Sequence, residues 1–369
     1  MRIAQVAPLF ESVPPPYYGG TERVVSYLTE ELVRQGHQVT LFASGDSVTQ
    51  ARLVAACPHA LRLDPQCVEP MAHYMVLLEQ VFRQAHAFDL LHFHIDYLHC
   101  PLSLRQHIPH VTTLHGRLDL PDLVPVYRTF PTMPVVSVSE AQRTPLPWLQ
   151  WQGTVYHGVP NDLYTFRDTP GTYLAFLGRI SPEKGVEHAI AIARHVGMPL
   201  KIVAKVDRVD RVYFQEVIRP LLDDPLVEYL GEMGEHDKNI FLGQAYALLF
   251  PIEWPEPFGL VMIEAMACGT PVVALRRGSV PEVIDPGVSG FIVDSVDEAA
   301  AAVTMAARLD RAACRARFDE RFTAARMAAD YVKVYERVVE RGAPGRAAEA
   351  RPGPAAGLPE PRAVYGRSH

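Results

Sequence analysis

The stretch EPFGLVMIEAMACGTPVVA, residues 256–274, carries the pattern that sets the fold of this chain. Its segment LVMIEAMA has the length and composition of a short helix, Gly269 ends that helix, and PVVA follows as a buried strand. A helix followed directly by a continuous apolar strand is typical of a sheet that is covered on both faces. The stretch therefore predicts an α/β protein with a parallel sheet.

The same alternation of strand and helix recurs along the chain. RIAQVAPL predicts a first strand, and the helix after it has Val24, Leu28 and Leu32 at helical spacing. We expect Thr21 to cap this helix and Gly36 to end it. Further strands are predicted at VTLFA, DLLHFH, HVTTLHG, PVVSVS and TVYHG, and later at TYLAFLG, PLKIVAK, VEYLG, ALLFP, PVVAL and GFIVD. This alternation predicts parallel, doubly wound sheets.

The two series of strands predict two Rossmann-like domains of similar size. Residues 1–160 form the N-terminal domain, residues 173–318 form the C-terminal domain, and a polar linker rich in Pro and Gly joins them at 161–172. RVYFQEVIRPLL predicts a helix in the second domain, and FDERFTAARMAADYVKVYERVV predicts one long amphipathic helix from about residue 315. Residues 341–369 are rich in Arg, Ala, Pro and Gly and predict a disordered tail.

The composition excludes several classes of function. The 369 residues carry a formal net charge of -7, which disfavours general binding to nucleic acid or to an anionic membrane. Five cysteines without a C-x-x-C pair predict neither a disulfide framework nor a zinc ribbon, so we expect a reduced, cytoplasmic setting. MRIAQVAPLF does not resemble a signal peptide, and no apolar run is long enough to span a membrane. At most, we expect weak, peripheral association with the inner membrane face.

Two glutamates flank the start of the helix in the stretch 256–274. Glu264 lies within apolar residues, where a carboxylate is costly unless it reaches a cleft or a partner. Together with Glu256 it can accept hydrogen bonds from paired hydroxyls, such as a ribose diol or sugar hydroxyls. The backbone amides of Phe258, Gly259 and Leu260 open the helix, where anions are favoured. Composition alone equally allows Glu264 to be a buried acid that a backbone group satisfies.

Arg179 and Lys184 follow the predicted strand AFLG and precede a helix. Two cations at a helix N-terminus oppose the helix dipole, so a purely structural role there is unfavourable. Directed at a diphosphate, they would neutralise the charge that builds up on leaving phosphates. The alternative is a solvated loop in which either cation pairs with Glu183 or Glu187.

Glycines and histidines mark further strand ends. Gly19 and Gly20 precede the first predicted helix, where glycine lets a phosphate approach the backbone, although a simple turn is the alternative. His115 ends the predicted strand VTTLH, in a loop that we expect to open on the cleft. His92 and His94 share one face of a strand, but no carboxylate at ligand spacing completes a metal site.

The E-x7-E spacing of EPFGLVMIEAMACGTPVVA, together with GRISPEKG, the early YGG before a helix, and TLHG, resembles retaining glycosyltransferase family 4, also called glycosyl transferases group 1. The resemblance covers residues 1–340 approximately, and the order and spacing of the motifs are specific. It implies the GT-B fold, in which two Rossmann-like domains face a central cleft. It also implies that a final helix, over 319–340, crosses back to the first domain.

The resemblance implies a role for each site residue. Glu256 would contact hydroxyls of the donor sugar, and Glu264 would hold the donor ribose. Arg179 and Lys184 would bind the diphosphate, and His115 would lie close to the transferred sugar. The catalytic candidates are thus Lys184, Arg179, His115 and Glu256, and the donor-binding candidates are Gly19, Gly20, Glu264, Phe258, Gly259 and Leu260.

The resemblance also implies the activity. It indicates a hexosyltransferase that moves a hexose from a nucleoside-diphosphate sugar, expected to be a UDP-sugar, to a hydroxyl of a small-molecule, glycan or glycolipid acceptor. Members retain the anomeric configuration and need no metal in the chemical step, so no cofactor is expected. N-terminal loops around 10–20, 57–75 and 94–130 would bind the acceptor. The alternatives are a glycosidase that uses the two glutamates, a nucleotide-sugar epimerase of the same fold, and a catalytically silent carbohydrate-binding protein.

Overall fold

The computed structural model describes residues 1–62 and 64–342. The strands of the first domain are β1 (Arg2–Val6), β2 (Gln38–Ser44), β3 (Arg52–Cys57), β4 (Leu90–Phe93), β5 (His110–Thr113), β6 (Pro134–Ser137) and β7 (Gln150–Thr154). Its helices are α1 (Gly20–Arg34), α2 (Pro70–Arg83), α3 (Cys100–Ser103) and α4 (Leu123–Thr129).

The strands of the second domain are β8 (Tyr173–Arg179), β9 (Leu200–Lys205), β10 (Val227–Gly231), β11 (Ala245–Phe250), β12 (Val272–Leu275) and β13 (Gly290–Val293). Its helices are α5 (Val186–Val196), α6 (Arg211–Tyr213), α7 (Glu235–Gly243), α8 (Leu260–Ala267), α9 (Val280–Val283), α10 (Val296–Ala306) and α11 (Arg311–Arg321). The helix α12 (Ala324–Gly342) ends the described chain.

Each domain contains one parallel sheet, which confirms the predicted α/β class with two Rossmann-like domains. The first sheet has seven strands in the order β3-β2-β1-β4-β5-β6-β7, and the second has six in the order β10-β9-β8-β11-β12-β13. The strand order reverses between β1 and β4 in the first sheet and between β8 and β11 in the second. Such a switch point opens a crevice beyond the carboxyl ends of the two strands, where ligands bind.

Apolar runs form the central strands because both faces of each sheet are covered. In β11, which reads AYALLF, Leu248 and Leu249 point to opposite faces and are 0% and 1% exposed. Leu248 packs into the large core that extends to α12, whereas Leu249 packs into the core beneath α5 and α10. A continuous apolar run therefore serves two cores at once, as expected of a buried parallel strand.

The helix α12 returns to the first domain and packs against α1 and β5. Its two fully buried tyrosines make polar contacts there: the hydroxyl of Tyr331 is 2.9 Å from Oγ1 of Thr113, and that of Tyr335 is 2.7 Å from Nδ1 of His92. The crossing of the final helix back to the first domain, which the resemblance implied, is therefore present.

The prediction of one long helix from about residue 315 is wrong, because the chain forms α11 and α12 with a break between them. At the break, Thr323 pairs with Val159 in a parallel bridge. The backbone N–H of Val159 donates to Phe322 O at 3.0 Å, and the N–H of Ala324 donates to Val159 O at 2.8 Å. These bonds to Val159, just before the interdomain linker, replace helical hydrogen bonds, so the helix stops and restarts.

Three further details differ from or fall outside the sequence prediction. Helix α1 begins at Gly20 with Gly19 as its N-cap, so Thr21 lies within the first turn. The segment 208–223 is a series of short 3-10, α and π turns rather than one helix, and Pro220, which has no N–H to donate, lies in its last turn. Of the predicted tail, residues 341 and 342 belong to α12, and the remainder, 343–369, lies outside the described residues.

Candidate active site

The carboxyl ends of the two sheets face one cavity of about 540 Å³. Residues that follow β1 and β4 line one side of it, and residues that follow β8 and β11 line the other. The cavity is lined by all ten residues predicted for the site, namely Lys184, Arg179, His115, Glu256, Gly19, Gly20, Glu264, Phe258, Gly259 and Leu260. The structure therefore brings these residues together, while the role of each one stays a prediction.

Lys184 lies in the turn after β8 and pairs with Glu256. Its Nζ atom is 2.5 Å from Oε2 of Glu256, and it lies 5.1 Å from the ring centre of Trp254. Trp254 also donates through Nε1 to the same Oε2 atom at 2.8 Å. Since these contacts use only one carboxylate oxygen, the Oε1 atom of Glu256 is left for other donors.

Arg179, the last residue of β8, is surrounded by three acids. It forms an ion pair with Glu183, and its guanidinium nitrogens lie 3.8 Å from Asp207 and 3.4 Å from Asp210. Nε of Arg179 and Oδ2 of Asp210 are both buried and have no hydrogen-bond partner. Their contact is therefore an ion pair without a hydrogen bond. The ion pair with Glu183 is the alternative that the sequence allows for Arg179, yet the same arginine also lines the cavity.

Glu264 belongs to a network of charges that the sequence analysis missed. Lys238 of α7 lies 3.3 Å from Glu264 and 3.1 Å from Glu235. Glu235 in turn pairs with Arg23 of α1, in the other domain, and accepts a hydrogen bond from Tyr164. Glu264 is thus satisfied by a lysine rather than by a backbone group, and the network crosses the cleft. In the sequence, this network is indicated only by Glu235 and Lys238, whose three-residue spacing on a helix suits an ion pair.

Two helices begin at the cavity without a side-chain cap. Gly19 is the N-cap of α1 and Gly259 is the N-cap of α8, so the first amide groups of both helices are available to an anion. Gly259 has a φ angle of +80°, and a Cβ atom there would lie 2.8 Å from Met262. A Cβ atom on Gly20 would lie 3.7 Å from Leu260, so the two helix starts approach each other across the cleft.

A chain of hydrogen bonds fixes the tautomer of His115. Nε2 of His94 lies 2.7 Å from Oε1 of Gln5. The side-chain N–H of Gln5 donates to the hydroxyl of Tyr335, which identifies the atom that faces His94 as the acceptor oxygen. Nε2 of His94 therefore donates, and its Nδ1 accepts from Nε2 of His115 at 2.9 Å. His115 is left with an unprotonated Nδ1, which has no hydrogen-bond partner among the described residues.

Burial keeps this group of histidines neutral. It lowers the pKa of His115 to about 3 and holds the pKa values of His92, His94 and His157 well below the usual value for histidine. The rings of His115 and His157 stack with centres 5.2 Å apart, and Phe258 packs against His157 at 4.9 Å. The histidines therefore offer hydrogen-bonding groups without charge at neutral pH.

Gly278 and Ser279 hold the loop that carries Glu256, and sequence reasoning missed both. Gly278 has a φ angle of +49°, and a Cβ atom there would lie 2.3 Å from Glu256 O and 2.5 Å from Glu256 N. The backbone N–H of Ser279 donates to Glu256 O at 3.0 Å, and its hydroxyl donates to Phe258 O at 2.8 Å. The position of Glu256 thus depends on close backbone contact with a glycine.

Within residues 1–62 and 64–342, no group of three or more His, Cys, Asp or Glu side chains is placed to hold a metal ion. The ring nitrogens of His92 lie 2.7 Å from the hydroxyl of Tyr335 and 2.7 Å from that of Thr113. Over the same residues, no helix combines the length and the apolar character that crossing a membrane requires.

Two protein families match the chain. Residues 18–152 match the family described as Glycosyltransferase Family 4, and residues 165–323 match the one described as Glycosyl transferases group 1. A D-inositol 3-phosphate glycosyltransferase of Corynebacterium kroppenstedtii is 31% identical over 199 residues, a segment that spans 49% of this chain and 44% of that relative.

Solved structures share the two-domain fold over most of the chain. AviGT4, a glycosyltransferase involved in avilamycin A biosynthesis, is 25% identical with a TM-score of 0.71, over 92% of this chain and 98% of that one. Anabaena HepE in complex with UDP-glucose is 18% identical with a TM-score of 0.66, over 92% and 98% of the two chains. The family matches and the two facing Rossmann-like domains show that the chain belongs to glycosyltransferase family 4 and has the GT-B fold.

Proposed function

We propose that this protein is a retaining hexosyltransferase with a UDP-sugar as its donor and a hydroxyl group as its acceptor. One observation carries the proposal: Arg179, Lys184 and the starts of α1 and α8 surround a single cavity at the facing switch points of the two sheets. Two cations and two uncapped helix starts suit a diphosphate, which carries negative charge on several oxygens. The UDP-glucose complex of Anabaena HepE supports a UDP-sugar on this fold.

The acids then define how the donor lies. Glu264, which is 4% exposed, accepts the ribose hydroxyls at the inner end of the second domain. Glu256 accepts hydroxyls of the sugar through its Oε1 atom, which no partner described above uses. His115 lines the cavity from the opposite domain and lies beside the sugar. The sugar is therefore held from both sides of the cleft.

In the chemical step, the bond between the anomeric carbon and the phosphate oxygen breaks, and a bond from the same carbon to the acceptor oxygen forms. The acceptor proton passes to the departing phosphate oxygen, which lies on the same face as the incoming hydroxyl, so the anomeric configuration is retained. Arg179, Lys184 and the helix starts stabilise the leaving diphosphate. These cations neutralise the charge without a metal ion, so treatment with EDTA is expected to leave turnover unchanged.

The donor is tested by thermal unfolding with UDP, GDP, ADP and TDP. A ligand at 100 times its Kd adds about 2.7 kcal/mol of apparent stability, so the preferred base gives the largest shift. We expect UDP to give that shift and Glu264→Ala to abolish it. The matched control is Glu216→Ala, which removes an exposed acid of the same domain and should keep the shift. Equal shifts for all four nucleotides, or none, would contradict the proposed donor.

The stereochemistry is tested on the product. NMR of the transferred sugar is expected to show the anomeric configuration of the donor, and an inverted product would contradict a retaining mechanism. The same assay separates the alternatives, because an epimerase would change the donor sugar without an acceptor, and a glycosidase would be indifferent to the nucleotide. A silent binding protein would bind the nucleotide and turn over no acceptor.

A further inference from the structure

Asp96 lies at the switch point of the first sheet, beyond the carboxyl end of β4, and the donor residues described above do not include it. It lines the cavity with an exposed side chain, and it is the one residue other than glycine with a positive φ angle, 50°, in the described chain. Because the walls of the cavity surround the carboxyl group, its pKa is raised to about 6. Among the described residues, no cation and no hydrogen-bond donor contributes to that shift.

The cations that line the cavity are all paired with acids. Six basic residues line it, and each forms an ion pair: Arg23 with Glu235, Arg62 with Glu11, Arg179 with Glu183, Lys184 with Glu256, Lys205 with Asp207, and Lys238 with Glu264. Three acids that line it form no ion pair with any described residue, namely Glu22, Asp96 and Glu232. The positive charge of the cavity is therefore compensated, and part of its negative charge is not.

The uncompensated charge is concentrated on the acceptor side. Glu22, in the first turn of α1, is 7% exposed, and burial raises its pKa. Together with Asp96 it places two acids without a cation on the wall that the first domain forms. Of the two arginines that the first domain contributes to the cavity, Arg62 lies 3.0 Å from the buried Glu11, and Arg23 pairs with Glu235. An anionic acceptor would meet repulsion here, whereas hydroxyl groups would find acceptors for their hydrogen bonds.

Aromatic rings border the same side. Phe10, Tyr17 and Tyr18 line the cavity and are 40%, 56% and 39% exposed. Exposed rings with an apolar face and, in the tyrosines, a polar tip suit a partner that presents both C–H faces and hydroxyl groups. A phosphate group would gain little from such rings, because they carry no positive charge.

We propose that the acceptor is an uncharged polyhydroxylated molecule, of the sugar or cyclitol class, and that one of its hydroxyls donates a hydrogen bond to the carboxylate of Asp96. The unpaired acids of this wall disfavour phosphorylated or carboxylated acceptors. The inference rests on the proposed transferase function, since it assigns the second substrate of the same cavity. Asp96 acts as a binding and positioning residue, and the acceptor proton still leaves with the donor phosphate.

The test uses the full chain and matched pairs of probes: myo-inositol with myo-inositol 1-phosphate, glucose with glucose 6-phosphate, and N-acetylglucosamine with its 6-phosphate. The donor is the glucose conjugate of the nucleotide that stabilises the protein most. Release of nucleoside diphosphate above the level with water alone gives kcat/KM for each probe. We expect at least one neutral probe to be used, with about tenfold or greater preference over its phosphorylated partner.

The variant Asp96→Asn isolates the charge. Asparagine has the same shape and tolerates a positive φ angle, so the backbone is retained. We expect it to lower kcat/KM for the neutral probe by about tenfold and to reduce the preference over the phosphorylated partner. The control is Asp223→Asn, an exposed acid of the second domain outside the cavity, which should change neither value.

Two kinds of failure are distinguishable. If no nucleotide stabilises the protein and no probe raises the release of nucleoside diphosphate, the proposed transferase function is wrong. If the nucleotide binds, the proposal on the acceptor is overturned by three results: preference for a phosphorylated probe, no use of any neutral probe, or unchanged selectivity in Asp96→Asn.

Discussion

The Nζ atom of Lys184 lies 2.5 Å from Oε2 of Glu256, and the indole of Trp254 donates to the same oxygen at 2.8 Å. The cation proposed to bind the diphosphate and the acid proposed to bind the sugar therefore contact each other directly. The two side chains are 16% and 13% exposed, so their attraction is little weakened by water. A diphosphate that attracts Lys184 would free Glu256 for sugar hydroxyls, which couples recognition of the two ends of the donor.

The first prediction concerns Lys184→Ala. Loss of a cation that stabilises charge on the leaving group is expected to lower kcat by about 10²-fold or more. Steady-state release of nucleoside diphosphate measures this change. The matched control is Lys333→Ala, because Lys333 pairs with Asp330 on the exposed face of α12. Wild-type turnover in Lys184→Ala would remove this residue from the mechanism.

The second prediction concerns the glycine that supports Glu256. Gly278→Ala would place a Cβ atom 2.3 Å from the backbone oxygen of Glu256, so the loop must shift. We expect kcat/KM to fall by about tenfold or more, because a displacement near 1 Å at a substrate-positioning residue is costly.

The control for this glycine is Gly287→Ala. Gly287 also has a positive φ angle, +79°, but nothing lies within 4 Å of its Cβ position. Both variants carry the strain of a positive φ angle, about 1 kcal/mol of unfolding free energy, and only Gly278→Ala adds the contact with Glu256. If the two variants lose the same activity, the contact has no role in positioning Glu256.

The sequence predicted those parts of the site that depend on the order of apolar and charged residues within a short segment. The buried strands, the short helix 260–267 and its acid Glu264 follow from apolar runs and from one carboxylate among them. Its network was missed, since Lys238 reaches Glu264 through the packing of α7, and Arg23 of the opposite domain joins the network only through Glu235. The break before α12 was missed for a similar reason, because it depends on the distant residue Val159.

The third prediction concerns the ion pair between the domains. Arg23 is 7% exposed at its side chain and pairs with Glu235. Because Glu235→Gln leaves this arginine without a compensating charge, we expect the free energy of unfolding to fall by about 3 kcal/mol. Denaturant unfolding measures it, and Glu228→Gln is the control, since its pair with Lys201 is largely exposed and should contribute less than about 1 kcal/mol. Equal losses in the two variants would argue against a stabilising contact across the cleft.

The fourth prediction concerns stability in acid. The pKa values of His92, His94, His115 and His157 are lowered by burial in the folded state, whereas an unfolded histidine has a pKa near 6.5. Below that pH the unfolded chain binds protons that the folded chain does not, so the free energy of unfolding falls. Four such groups approach about 5 kcal/mol per pH unit once the pH is well below 6.5.

His37, His99 and His110 act in the same direction, because burial lowers their pKa values too. Four acids act in the opposite direction: the raised pKa values of Glu11, Glu22, Asp96 and Asp210 let the folded state bind protons first, which adds stability as the pH falls. Since the histidines outnumber them, we expect the free energy of unfolding to be clearly lower at pH 5.5 than at pH 7.5. Denaturant unfolding at both values checks it, and equal stability would show that the histidines are not held neutral.

The fifth and most direct test is a calorimetric titration of the full chain with UDP, in the wild type and in the double variant Arg179→Ala, Lys184→Ala. The account predicts that UDP binds the wild type below millimolar concentration and binds the double variant at least about 100-fold more weakly, because two charge-assisted contacts to the diphosphate are lost. If UDP binds both proteins with equal affinity, or binds neither at millimolar concentration, the proposed donor site is wrong.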